Sequence, residues 1–109
     1  LALATETWIS LWNLETYQKT CDLGKSGSFF HKDIIRDIKF SNNGDILATG
    51  SNDSKIILWH FESQKGSGKL SGHLGPVLSL MFSDDDRFLF SSSIDGKILI
   101  WDWDSGDII

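Results

Sequence analysis

The sequence predicts an all-β protein made of repeated, four-stranded antiparallel sheets. Three observations predict it. A shift of 42 places lays residues 31–59 on residues 73–101 without a gap, and nine of those 29 positions are identical, where chance supplies about two. Within each copy, apolar residues alternate at period two or form short unbroken runs between clusters of turn residues. No stretch carries the spacing of an amphipathic helix. A period of this size marks a supersecondary unit that must bury its faces against its neighbours.

Each copy opens with an alternating strand, Ile38 and Phe40 in one and Leu80 and Phe82 in the other. Turn residues follow, "SNNGD" from Ser41 or "SDDDR" from Ser83, and then a second apolar run, Ile46-Leu47-Ala48 or Phe88-Leu89-Phe90. A tight reversal comes next, "SNDSK" or "SIDGK", in which Asp95-Gly96 is the strongest hairpin signal. The third run, Ile56 to Trp59 or Ile98 to Trp101, is apolar without alternation, as a strand covered on both faces requires. Residues 18–23 and 64–70 supply weaker, more polar outer strands, and "ETWISLW" closes an earlier, incomplete copy at Trp12. Four short antiparallel strands per 42 residues is the blade of a β-propeller. The expected division is the back half of one blade in residues 1–24, a complete blade in 25–70, and in 71–109 a blade lacking most of its outer strand.

The pattern H-x3-[IV]-x2-[IL]-x-F-S, followed by [TS]-x3-D-x5-W, resembles the WD40 repeat family. Trp101-Asp102 is its eponymous dipeptide and Gly72-His73 its other hallmark. There are departures: Phe30 stands where Gly is expected before His31, and Asn13 and His60 follow the other two repeat tryptophans. In the first copy, counting back from Trp12, Glu6 falls at the Asp position and Ala2 at the Ser/Thr position. The resemblance implies a structural tetrad in each full copy, His31, Thr49, Asp53 and Trp59, then His73, Ser91, Asp95 and Trp101. His73, Ser91 and Asp95 are also the residue types of a hydrolase triad. Recurrence decides against that reading, because an active site is needed once and a clip in every blade. The first blade, without the Asp and the hydroxyl, should be the softest.

The resemblance further implies a non-catalytic interaction scaffold that docks a peptide or protein surface on the narrow top face of the propeller. Its contact positions fall on Ile34, Arg36 and Asn52 in one copy and on Pro76, Leu78 and Ile94 in the next, with Thr5 as the first-copy counterpart. That set is mostly apolar with one cation, which suits a hydrophobic partner better than a phosphopeptide. The alternative is a substrate-receptor or sensor propeller within a larger assembly, a ubiquitin ligase or a signalling ATPase. The family's ligase-adaptor motif Trp-Asp-x-Arg is missing, since Asp104 stands where Arg should be.

Composition bounds the rest. Hydrophobic content of 40% and charged content of 23% are globular values. A formal charge of −5 repels phosphate backbones and argues against direct nucleic-acid binding. No apolar run approaches the roughly 18 residues that span a bilayer. A single cysteine, Cys21, favours a reducing, intracellular setting, cytoplasmic or nuclear. His31, His60, His73 and Cys21 have no metal-ligand spacing, so neither metal nor cofactor is expected. "GKSGS" at Gly24 and "GSGKL" at Gly66 fail as phosphate loops and read as flexible polar loops. "NDS" at Asn52 is a formal glycosylation acceptor in a tight turn. Asp84 to Asp86 read as a solvated turn, and Trp8 and Trp103 as either inter-blade packing or exposed anchors. The "LALA" start looks like a chain entered midway, one segment of a larger propeller whose remaining blades would be its first partners. Alone it should aggregate or stay partly molten, with the sides of Ile56, Leu58 and Leu99 uncovered.

Overall fold

The computed structural model describes residues 1–25 and 29–109; Ser26 to Ser28, within the "GKSGS" stretch, lie outside the described residues. The described residues form eleven strands and no helix: β1 (Ala2–Thr5), β2 (Trp8–Asn13), β3 (Gln18–Leu23), β4 (Ile35–Phe40), β5 (Ile46–Ser51), β6 (Lys55–His60), β7 (Lys65–Ser71), β8 (Val77–Phe82), β9 (Leu89–Ser93), β10 (Ile98–Asp102) and β11 (Asp107–Ile108). They make three antiparallel meanders, β1-β2-β3, β4-β5-β6-β7 and β8-β9-β10-β11, which are stacked as successive propeller blades. Among the described residues no helix is long and apolar enough to cross a membrane.

The unbroken apolar runs make sense once the sheets are stacked, because alternate residues feed two different cores. Leu47, Ile57 and Trp59 turn towards the first sheet and pack with Ala2, Ile9, Leu11 and Leu23. Ala48, Ile56 and Leu58 turn the other way, onto Val77, Leu80, Leu89 and Trp101 of the third. A middle blade therefore needs apolar residues at every central place in its third strand, and β6 has them from Ile56 to Trp59. This corrects one expectation: Ile56 and Leu58 are buried between sheets, and Leu99 packs partly against the same core. Ile98 is the β10 residue left most open, at 73% exposure.

Two further boundaries shift. Gln64 lies in the turn before β7, in the left-handed region at φ 59°, and "GSGKL" is part of β7 itself, not a loop. Gly66 is needed there because the Phe29 ring lies on it: a Cβ would come within 2.3 Å of the ring. Phe88 falls just before β9.

Gly72 precedes His73 where the loop passes close over the third sheet. A side chain there would collide with Trp101 at 2.9 Å, so only glycine lets the loop cross the repeat tryptophan. In the middle blade Phe30 takes that sequence position and is partly exposed, at 41%. The close approach to Trp59 is made instead by Gly24, at φ 77°, where an added Cβ would lie 3.2 Å from the indole.

Candidate functional site

In the two complete repeats, the residues matched at 42 places come together in the same geometry. The Trp59 indole N–H donates to Thr49 Oγ1 at 3.1 Å. That hydroxyl meets His31 Nε2 at 2.7 Å, and His31 Nδ1 meets Asp53 Oδ2 at 3.0 Å. The second set repeats it: Trp101 to Ser91 at 2.8 Å, Ser91 to His73 at 2.7 Å, His73 to Asp95 at 3.1 Å. A single direction of donation satisfies every atom, running from indole to hydroxyl to imidazole to carboxylate. The imidazole proton then sits on Nδ1. Each such bond nets about 1 kcal/mol, but leaving one buried partner unpaired costs about 1–3.

The carboxylates also cap the loops. Asp53 accepts from the Lys32 and Lys55 amides, and Asp95 from those of Leu74 and Lys97, all at 2.9 Å. Burial works to raise the Asp53 pKa, but His31 and the two amides outweigh it and hold it at about 2. At Asp95 the Leu74 amide is the largest influence; together with Lys97 and His73 it overcomes burial and gives the same value, about 2. Thr49 and Ser91 are 0% and 1% exposed. A nucleophile must reach substrate, and these hydroxyls are sealed between their own partners.

The first sheet departs from this pattern, and its register corrects the sequence alignment. Leu3 pairs with Ser10 two residues before Trp12, as Thr49 pairs with Ile57 two residues before Trp59. Leu3, not Ala2, therefore holds the hydroxyl position. Thr5 holds that of Ser51, so neither Thr5 nor Glu6 is the counterpart that counting back from Trp12 suggests. The cause is a hairpin one residue shorter, closed by Glu6 and Thr7 between the paired Thr5 and Trp8. With leucine in place of a hydroxyl, the Trp12 indole N–H is buried with no partner among the described residues.

The proposed contact residues gather along one rim. The Ile34 carbonyl accepts from the Asn52 amide at 2.9 Å, and the Pro76 carbonyl from the Ile94 amide at 3.1 Å, so each blade's separated positions are drawn together. Arg36 and Leu78 are the extra residues of matching β-bulges, where the register steps from Ile35↔Ser51 to Asp37↔Gly50 and from Val77↔Ser93 to Ser79↔Ser92. Bulges re-aim side chains beside functional surfaces. Both residues are exposed, and the Arg36 Nε donates to Asn52. Ile34, Leu78 and Ile94 are 51%, 40% and 61% exposed, while Pro76 is half-buried.

Sequence reasoning missed several supporting groups. Ser51 Oγ bonds the Asp33 and Ile34 carbonyls, and Ser93 Oγ bonds that of Gly75, tying hairpin to loop. Their identity at the 42-residue shift was the available signal. Asp86 is not simply solvated: its carboxylate takes the Asn42 and Asn43 amides at 2.7 and 2.9 Å and joins the last two blades. Trp103 donates to the Asp86 carbonyl at 2.7 Å and stands edge-on to Phe82, which makes it a packing residue. Trp8 is half-buried with Lys25 over its ring.

A family profile described as WD domain, G-beta repeat (WD40) matches residues 24–60 and 64–102. Among solved structures the chain is similar to the crystal structure of RRP9 WD40 repeats, at a TM-score of 0.88 and 22% identity over 94% of this chain and 31% of that one. It is similar also to the structure of U3-55K, at a TM-score of 0.84 and 24% identity over 94% of this chain and 32% of that one. The chain thus spans about a third of the length of these structures. No curated protein sequence matches it.

Proposed function

The chain belongs to the WD40 repeat family, and from that premise we propose that it is part of a non-catalytic, intracellular scaffold. It docks a largely hydrophobic peptide or protein surface on the rim carrying Ile34, Arg36, Asn52, Pro76, Leu78 and Ile94, and further blades of the same propeller complete that face. WD40 repeats generally serve as protein-interaction modules. One observation carries the reading: three large apolar side chains stand exposed on one rim, above a network that holds their loops rigid. Rigid loops lose little entropy on binding. The Ser/His/Asp sets are sealed inside the blades, which supports a binding role over turnover.

The test uses the full-length protein with Leu78→Asp and Ile94→Asp together. Proteins retained from cell extract by the wild type should be lost, with the thermal unfolding midpoint unchanged. Retention of the same proteins by the double variant would remove these residues from the site.

A further inference from the structure

We propose that the opposite rim carries a second docking groove, between the first and second blades, for a basic segment of a partner protein with an apolar anchor. This goes beyond the top-rim function and does not depend on it. The groove has a volume of about 330 Å³ and is lined by Leu11, Trp12, Thr20, Phe61, Glu62 and Gln64, with Asn13 at its end. Both walls belong to this chain: β2 and β3 on one side, the β6–β7 turn on the other. A second hollow of about 420 Å³, lined by Asp45, His60, Glu62 and Ser63, adjoins it through Glu62.

Two independent features fix the partner's chemistry. The first is an unspent apolar surface. Phe61 is 37% exposed, braced edge-on against Phe40 at 5.3 Å, and its amide is tied to the Asp45 carbonyl at 3.0 Å. Leu14 and Tyr17, in the turn closing the other wall, are 60% and 82% exposed.

The second is charge. The five turns at this end of the sheets hold seven carboxylates and one cation, Arg87. The connections at the opposite end hold four carboxylates and three cations. Glu15, Asp45 and Glu62 flank the groove itself, while Asp84, Asp85, Asp86 and Asp104 extend the acidic character to the third blade at the same end. Of the flanking cations, Lys19 is engaged by Asp22 at 3.2 Å, Lys65 adjoins the β6–β7 turn, and Lys39 precedes Phe40 at the end of β4. Such a surface repels acidic segments and attracts Lys/Arg-bearing ones, while Phe61 and the half-buried Trp12 supply the apolar seat that turns attraction into specific binding.

The experiment selects from a random displayed 12-residue peptide library on the immobilised full-length protein. The expected winners carry Lys or Arg around one large apolar residue. Their binding should fall about tenfold or more in Phe61→Ser and in the pair Asp45→Lys with Glu62→Lys, and weaken with added salt. It should be unchanged in Leu78→Asp with Ile94→Asp, which separates this groove from the top rim. Selection of no basic peptides overturns the proposal. So does selection of basic peptides indifferent to both Phe61 and the charge reversal.

Discussion

The sheet of β1–β3 and the sheet of β4–β7 bury similar aliphatic residues and carry a tryptophan at the same place, yet they are secured differently. Trp59 ends a chain of bonds through Thr49 and His31 to Asp53. The Trp12 indole N–H meets no partner among the described residues. Shortening a hairpin by one residue puts Leu3 where a hydroxyl would be, and the clip cannot form. The lesson is that apolar patterning suffices to shape a blade, whereas the polar clip is a separate device that sets how firmly hairpin, loop and third strand are held together.

The largest expected difference comes from deleting the tryptophans. Trp59→Ala and Trp101→Ala should each cost about 3–5 kcal/mol in urea unfolding of the full-length protein, through cavity formation and the lost indole bond. Trp12→Ala should cost clearly less, because its ring is only half-buried and its N–H has no bond to lose. Equal losses at all three would break the comparison.

A smaller effect isolates the hydroxyl. Thr49→Val keeps the shape but leaves both the indole N–H and His31 Nε2 unpaired, at about 2–3 kcal/mol; Ser91→Ala does the same in the next blade. A cost below about 0.5 kcal/mol at both would show that the network contributes no stability.

Acid should release the clips in a defined window. Asp53 and Asp95 are held at about 2, below their ordinary 3.8. Their folded pKa values are depressed, so their contribution is complete above about pH 4 and is lost as pH falls towards 2. Unfolding midpoints recorded across that range should drop. The drop should shrink in Asp53→Asn with Asp95→Asn, and an undiminished slope would assign it elsewhere. The smallest expected change is a gain: Leu3→Thr restores a hydroxyl opposite Ser10 and should stabilise the first sheet by about 1 kcal/mol.

Much of this was legible in the sequence, because the 42-residue period ties each residue to a structural twin. It located the strands and both tetrads, since every member recurs at the same spacing. The first blade was legible only in part. Counting back from Trp12 assumes equal hairpins, and matching "LALAT" to "LATGS" from the strand side would have revealed the shortened turn. The bulges at Arg36 and Leu78 leave no compositional trace, because an extra residue in an exposed strand costs no apolar pattern. The clamp from Asp86 to Asn42 breaks the repeat: Gly44 is the twin of Asp86, so periodicity had nothing to match.

Hydrogen exchange at the indole nitrogens, followed by NMR in the full-length protein, tests the comparison most directly. The signals of Trp59 and Trp101 should exchange slowly, and that of Trp12 about tenfold faster or more. Equal protection of all three would contradict the account, because the missing hydroxyl at Leu3 would then make no difference to how the blade is held.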